Sequence, residues 1–266
     1  MSASSRLPAA LLALSALAAC ATTGQTAATD PSGLTATPPR SVDRQARQRI
    51  AREDMLSQMA FWAGEYQTFP NDLEAAQRFS EALRKGGRVE RAVQISGEAI
   101  ARFPDDQQLL TTYGLAQISA GNPQASLRPL AMVAASQSDN WRVRSALGVA
   151  LDQLGRFPEA RRAYQEALAL EPDDPHILVN MGVSHILAGE PQEAETILRQ
   201  ASTIANAPPE ARQNLAVAIA LQGRFDEAEQ IARVDLPPAQ AAANVAYLRG
   251  LLSDPRRWDE LGGRRG

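Results

Sequence analysis

Residues 141–174 read WRVRSALGVALDQLGRFPEARRAYQEALALEPDD. Two helix-forming stretches flank Gly155, and Pro172 stops the second. The same layout recurs on both sides at a fixed spacing. Gly87, Gly121, Gly155, Gly189 and Gly223 stand 34 residues apart without slippage. Five residues after each glycine comes a small side chain: Ala92, Ser126, Ala160, Ala194, Ala228. Seven before it sits another: Ser80, Gly114, Gly148, Gly182, Ala216. That one is preceded in every copy by an apolar residue: Phe79, Tyr113, Leu147, Met181, Leu215. Four columns in one register establish an internal repeat.

A helix–turn–helix period of 34 is the signature of the tetratricopeptide repeat (TPR), and the chain resembles that family. The expected fold class is all-α: a right-handed superhelical TPR solenoid of about five repeats plus capping helices. The repeats are 73–106, 107–140, 141–174, 175–208 and a shortened 209–236. Gly148 and Ala160 let two antiparallel helices approach, Leu147, Leu151 and Tyr164 fill the space between repeats, and Gly155 takes the tight turn. Asp105-Asp106 and Asp173-Asp174 fall in inter-repeat turns and read as caps for the following helix. Pro70 stands 34 before Pro104, which makes residues 54–68 the second helix of a degenerate repeat within leading helices at 41–72. Residues 236–254 read as one more helix, so that 237–266 form a capping helix and tail, as a solenoid end requires.

Ahead of the repeats lies a targeting pattern. Arg6 precedes an apolar run, Leu7–Ala19, too short to span a bilayer. The run ends in Leu17-Ala18-Ala19-Cys20, which resembles a bacterial lipobox; Ala16-Leu17-Ala18 also fits an ordinary secretory cleavage site. Cys20 is the only cysteine, so no internal disulfide is possible, and lipidation explains its place. The expected organisation is a signal peptide at 1–19 and a lipidated Cys20 with a flexible tether at 20–40. About twenty such residues reach on the order of 25 Å. By likeness to Gram-negative lipoproteins, Ala21 points to the outer membrane.

No catalytic constellation emerges. His176 and His185 are nine apart and do not share a helix face, so no metal or cofactor site is expected, and no phosphate-loop or nucleophile motif occurs. The repeats occupy nearly all the folded residues, and the chain reads as a non-enzyme. A net charge of −3 gives no nucleic-acid face. The run Arg40, Arg44, Arg47, Arg49, Arg52 reads most simply as a solvated helix face, with a lipid or polyanion site as the alternative.

What remains is a binding surface on the first helix of each repeat, which in TPR superhelices lines the concave face. Its ninth position reads Glu81, Leu115, Val149, Val183, Val217, its fifth includes Val179, and its sixth includes Asn180 and Asn214. The groove so described is charged at its N-terminal end and apolar with amide rims beyond, which suits an amphipathic helix or extended peptide. Packing of the same valines against neighbouring helices is the other reading. The acids Glu74, Glu81 and Glu210 argue against a clamp for a terminal carboxylate.

The lipobox, the Thr/Pro tether and the segment RQNLAVAIALQGRFDEAEQIARVDLPPAQAAANVAYLR (212–249) together resemble the TadD-type TPR lipoproteins of tight-adherence (Tad/Flp) pilus assembly. That resemblance covers residues 60–252. It implies a periplasm-facing outer-membrane lipoprotein with protein partners in the pilus secretion machinery, pilotin-like towards the secretin. Alternatives are a TPR lipoprotein adaptor of another envelope system, or an accessory subunit regulating a periplasmic enzyme.

Overall fold

The register of the repeat is carried by two kinds of chain reversal, one at each end of every helix pair. The computed structural model describes residues 43–253, which form thirteen helices and no strand. After α1 (Arg44–Ile50) and α2 (Met55–Thr68) come five pairs. These are α3 (Leu73–Lys85) with α4 (Val89–Ile100), α5 (Gln107–Ser119) with α6 (Pro123–Ser136), and α7 (Trp141–Gln153) with α8 (Phe157–Leu170). Then follow α9 (Pro175–Leu187) with α10 (Pro191–Thr203), α11 (Pro209–Leu221) with α12 (Phe225–Ala232), and a final α13 (Pro238–Ser253). First helices start at 73, 107, 141, 175 and 209, and second helices at 89, 123, 157, 191 and 225, each 34 apart. Helix α2 starts at Met55, in phase with Val89.

Within each pair the glycine of the ladder adopts a left-handed conformation, with φ between 70° and 82°. The amide of the next residue donates back to the carbonyl five residues earlier, as from Arg156 to Leu151 at 2.9 Å and from Arg88 to Leu83 at 2.8 Å. Left-handed glycine with that bond is a Schellman cap, which satisfies carbonyls the ending helix leaves open. Between pairs the device is different. Asp72, Asp106, Asn140 and Asp174, again 34 apart, accept a backbone N–H from the first turn of α3, α5, α7 and α9. Of the aspartate pairs read from the sequence as caps, the second member of each, Asp106 and Asp174, caps the following helix, and Pro208 takes over the position in the fifth repeat.

Packing inside a pair turns on one small residue against the residue sixteen later. A Cβ added at Gly114 would lie 2.5 Å from Leu130 Cγ, at Gly148 2.4 Å from Tyr164 Cε1, and at Gly182 2.5 Å from Leu198 Cγ. Leu130, Tyr164 and Leu198 are buried on these glycines. In the first repeat the pair is Ser80 and Ser96, both buried, each hydroxyl bonding its own helix four residues back. In the fifth it is Ala216 and Ala232. Large side chains are admitted only where the facing position is glycine, which keeps the interior close-packed.

Backbones of successive first helices meet: α3 with α5, α5 with α7, α7 with α9, α9 with α11, and α11 with α13. No two successive second helices meet in this way. The stack therefore curves with the first helices on its inner side. Helix α13 packs on α11 and α12 as the first helix of a sixth repeat would.

Candidate interaction face

The inner face is built from the sides of α3, α5, α7, α9 and α11 that neither the partner helix nor the next repeat covers. Leu115, Val149, Val183 and Val217 are half-buried there. Leu115 packs against the core around Leu130 and Val143, and Val149 against the core around Tyr164 and Ile177. Val179 is 7% exposed and sits in the core of the C-terminal repeats, which leaves it little surface to offer. Asn180 and Asn214 are half-buried, and the Asn180 amide donates to Ser145 Oγ at 3.2 Å, tying α9 to α7. The ninth-position column thus forms a strip of which one side is core and the other is open. Cys20 lies outside the described residues, as do Arg40 and the segments 1–42 and 254–266.

A second feature sits at the N-terminal end of this face, where the register had placed charge but no cavity. A cavity of about 1110 Å³ opens between α1, α2 and α3, lined among others by Arg44, Arg52, Trp62, Leu73, Arg78 and Lys85. Its wall is held by Arg47, only 6% exposed although it comes from the run that reads as a solvated face. Arg47 Nε donates to Glu65 Oε2 at 2.7 Å, Nη1 to Glu74 at 2.8 Å, and Nη2 to Asp72 at 3.0 Å. Its guanidinium also lies over the Trp62 ring, 5.4 Å from the centroid. One side chain of α1 therefore clamps α2 and the N-terminus of α3. Burial opposes the Arg47 charge, but the three carboxylates outweigh it and raise its pKa. Burial likewise works against ionised Asp72, and the bonds from Arg47 and from the Ala75 amide overcome it and lower its pKa. Arg47 stands 34 before Glu81, but the period does not show its partners, which come from two other helices.

Between the third and fourth repeats lies a buried polar cluster. Tyr164 Oη donates to Asp152 Oδ2 at 2.8 Å, and Ser184 Oγ to Asp152 Oδ1 at 2.6 Å. Burial pushes the Asp152 carboxyl above its ordinary value despite these two donors. Burial, with the neighbouring Asp152 charge, raises the Tyr164 phenol. Of the two histidines, His185 is buried with Nδ1 2.6 Å from Glu190 Oε2, while His176 is exposed at the start of α9. The structure does not bring them together. One oxygen of Asp152 is engaged by Tyr164 of its own repeat and the other by Ser184 of the next, so the cluster holds α7, α8 and α9 in register.

Tetratricopeptide-repeat family models match residues 145–211 and 185–252. Among solved structures, a tetratricopeptide repeat protein from Parabacteroides merdae aligns at 14% identity over 77% of this chain and 79% of its own, with a TM-score of 0.60. A thermophilic TPR protein of Thermus thermophilus aligns at 22% identity over 66% and 98%, with a TM-score of 0.57. MamA from Desulfovibrio magneticus aligns at 19% identity over 60% and 92%, with a TM-score of 0.55. No curated protein matches the chain. These likenesses speak to the fold. With the 34-residue register and the helix pairing, they define a TPR solenoid, a protein-interaction scaffold of all-helical repeats.

Proposed function

We propose that the chain is a non-enzymatic scaffold that binds a partner protein along its inner face, from Leu115 through Val149 and Val183 to Val217. The carrying observation is that this column stays half-exposed on the inner side of the stack while the amides of Asn180 and Asn214 stand in the neighbouring column. Valine and leucine would receive the apolar side of an amphipathic helix or extended peptide, and the amides its backbone groups.

The cellular setting follows from the two ends of the sequence. The lipobox at Cys20 makes the protein lipid-anchored to the outer membrane and facing the periplasm. The likeness of residues 212–249 to TadD-type lipoproteins supports a role as an assembly factor of a Tad/Flp pilus, pilotin-like towards the secretin. In this reading it takes no metal or cofactor and no nucleic acid. Crosslinking followed by pull-down from the envelope tests the partner: capture of the secretin supports the pilus role, and capture of a periplasmic hydrolase or synthase instead overturns it. Val149→Glu with Val183→Glu tests the face. Loss of capture with an unchanged helical circular-dichroism signal is expected, and capture that survives in the folded double variant places binding elsewhere.

A further inference from the structure

First helices touch their successors all along the stack, but the series fails at its start: the backbones of α1 and α3 do not meet. Helix α1 has only seven residues, against thirteen in each of α3, α5, α7, α9 and α11. The 1110 Å³ cavity opens beside this short helix, between α1, α2 and α3. It exceeds a typical small-ligand pocket, which holds about 300–1,000 Å³.

The charges around it do not balance. Asp72 and Glu74 are taken by Arg47, and Glu81 by Lys85 at 2.8 Å. Arg44, Arg52 and Arg78, which also line the cavity, make no ion pair among the described residues, and all three stand exposed. Each acid of the lining already has a cationic partner, although Asp72 and Glu74 share Arg47, and the lining carries five cations against three acids. Between them the lining mixes Gln48 and Gln58 with the apolar Met55, Leu73 and buried Trp62 and Ala82. Guanidinium forks suit carboxylates, and a recess that is apolar in part suits a chain that alternates acids with apolar residues.

We propose that this cavity binds an acidic, partly apolar peptide segment of a partner protein. Arg44 and Arg52 would approach it from one wall and Arg78 from the other. That the ligand is a protein segment rests on the scaffold reading; the place and charge of the site do not depend on the apolar strip. A lipid surface fits less well, because the cations converge on a recess.

Fluorescence anisotropy on the full chain, with short labelled peptides of alternating Leu–Glu, Leu–Gln and Leu–Lys, tests the site. The Leu–Glu peptide is expected to bind, to weaken with added salt, and to bind at least about tenfold more weakly to Arg52→Glu with Arg78→Glu. Neither substituted side chain belongs to the core, and circular dichroism reports whether the fold persists. Arg44→Glu, on a different helix, gives a second arm with the same expectation. Equal binding of the Leu–Gln peptide, or no loss in any variant, overturns the proposal. So does arginine-dependent binding to phosphatidylglycerol vesicles without binding of the Leu–Glu peptide. Val149→Glu with Val183→Glu should leave Leu–Glu binding unchanged; loss there would put the peptide on the strip and overturn the cavity site. Partner capture that survives the valine substitutions sinks the strip alone.

Discussion

The ring of Tyr164 lies against Gly148 so closely that a Cβ on residue 148 would stand 2.4 Å from ring Cε1. Tyr164 is 1% exposed and tied to Asp152 by its hydroxyl, so the ring has nowhere to go. Gly148→Ala should therefore destabilise the third repeat by about 1–3 kcal/mol. Combined with Tyr164→Ser, which leaves an alanine facing a serine, close in size to the Ser80 and Ser96 pair of the first repeat, it should cost less than the sum of the single changes. A double-mutant cycle by urea denaturation measures the difference, expected at about 0.5–3 kcal/mol. Additive costs would show that the two residues do not compete for space.

Gly155 offers a control of a different kind. A Cβ there would meet nothing within 4 Å, yet its φ is +70°. Gly155→Ala should cost about 1–2 kcal/mol from the backbone alone. Because no neighbour is displaced, no second-site truncation should rescue it, which thermal melts of the paired variants will show.

The Asp152 carboxyl has a pKa raised by burial, so its ionised form is disfavoured in the folded state. Linkage then makes its contribution less favourable as pH rises through the carboxylate range. Asp152→Asn removes that slope. The melting temperature of the variant relative to the wild type should rise from acid to neutral pH. A difference that is flat or falls with pH would mean that the Tyr164 and Ser184 hydroxyls outweigh the burial.

Asp72 runs the other way. Its pKa is lowered, so its stabilisation is full above the ordinary carboxylate value of 3.8 and is lost as pH falls through the folded value. Acidification should loosen α1 and α2 from α3 before the later repeats. Arg47→Met should do the same at neutral pH, costing about 1–3 kcal/mol by leaving Glu65, Asp72 and Glu74 facing one another. Hydrogen exchange along α2 reports both, and unchanged protection there would dismiss the clamp.

Cys20→Ser addresses the anchor. Fractionation should find the variant in the soluble periplasm, and membrane retention would end the lipoprotein reading.

The spacing of glycines and small residues was enough to set the 34-residue frame in which the five helix pairs fall. Each feature that recurs in that frame acts on its own stretch of chain: a left-handed turn, a capped first turn, a close helix pair. Local requirements recur with the repeat and can be read from it. The inner-face columns were legible as columns, but not the degree to which Val179 and Val149 are absorbed by the core. That depends on how far successive repeats rotate, which no single repeat encodes. The arginine run shows the same division more sharply. As sequence it was a string of cations with two open readings. Folding buried Arg47 among three carboxylates from α2 and α3 and left Arg44 and Arg52 beside Arg78, 26 residues further on, around one cavity. Sequence alone determined the repeat and its turns, because those are short-range constraints. Only the tertiary structure decided which charges meet, because that pairing joins side chains from three different helices, which no local pattern records.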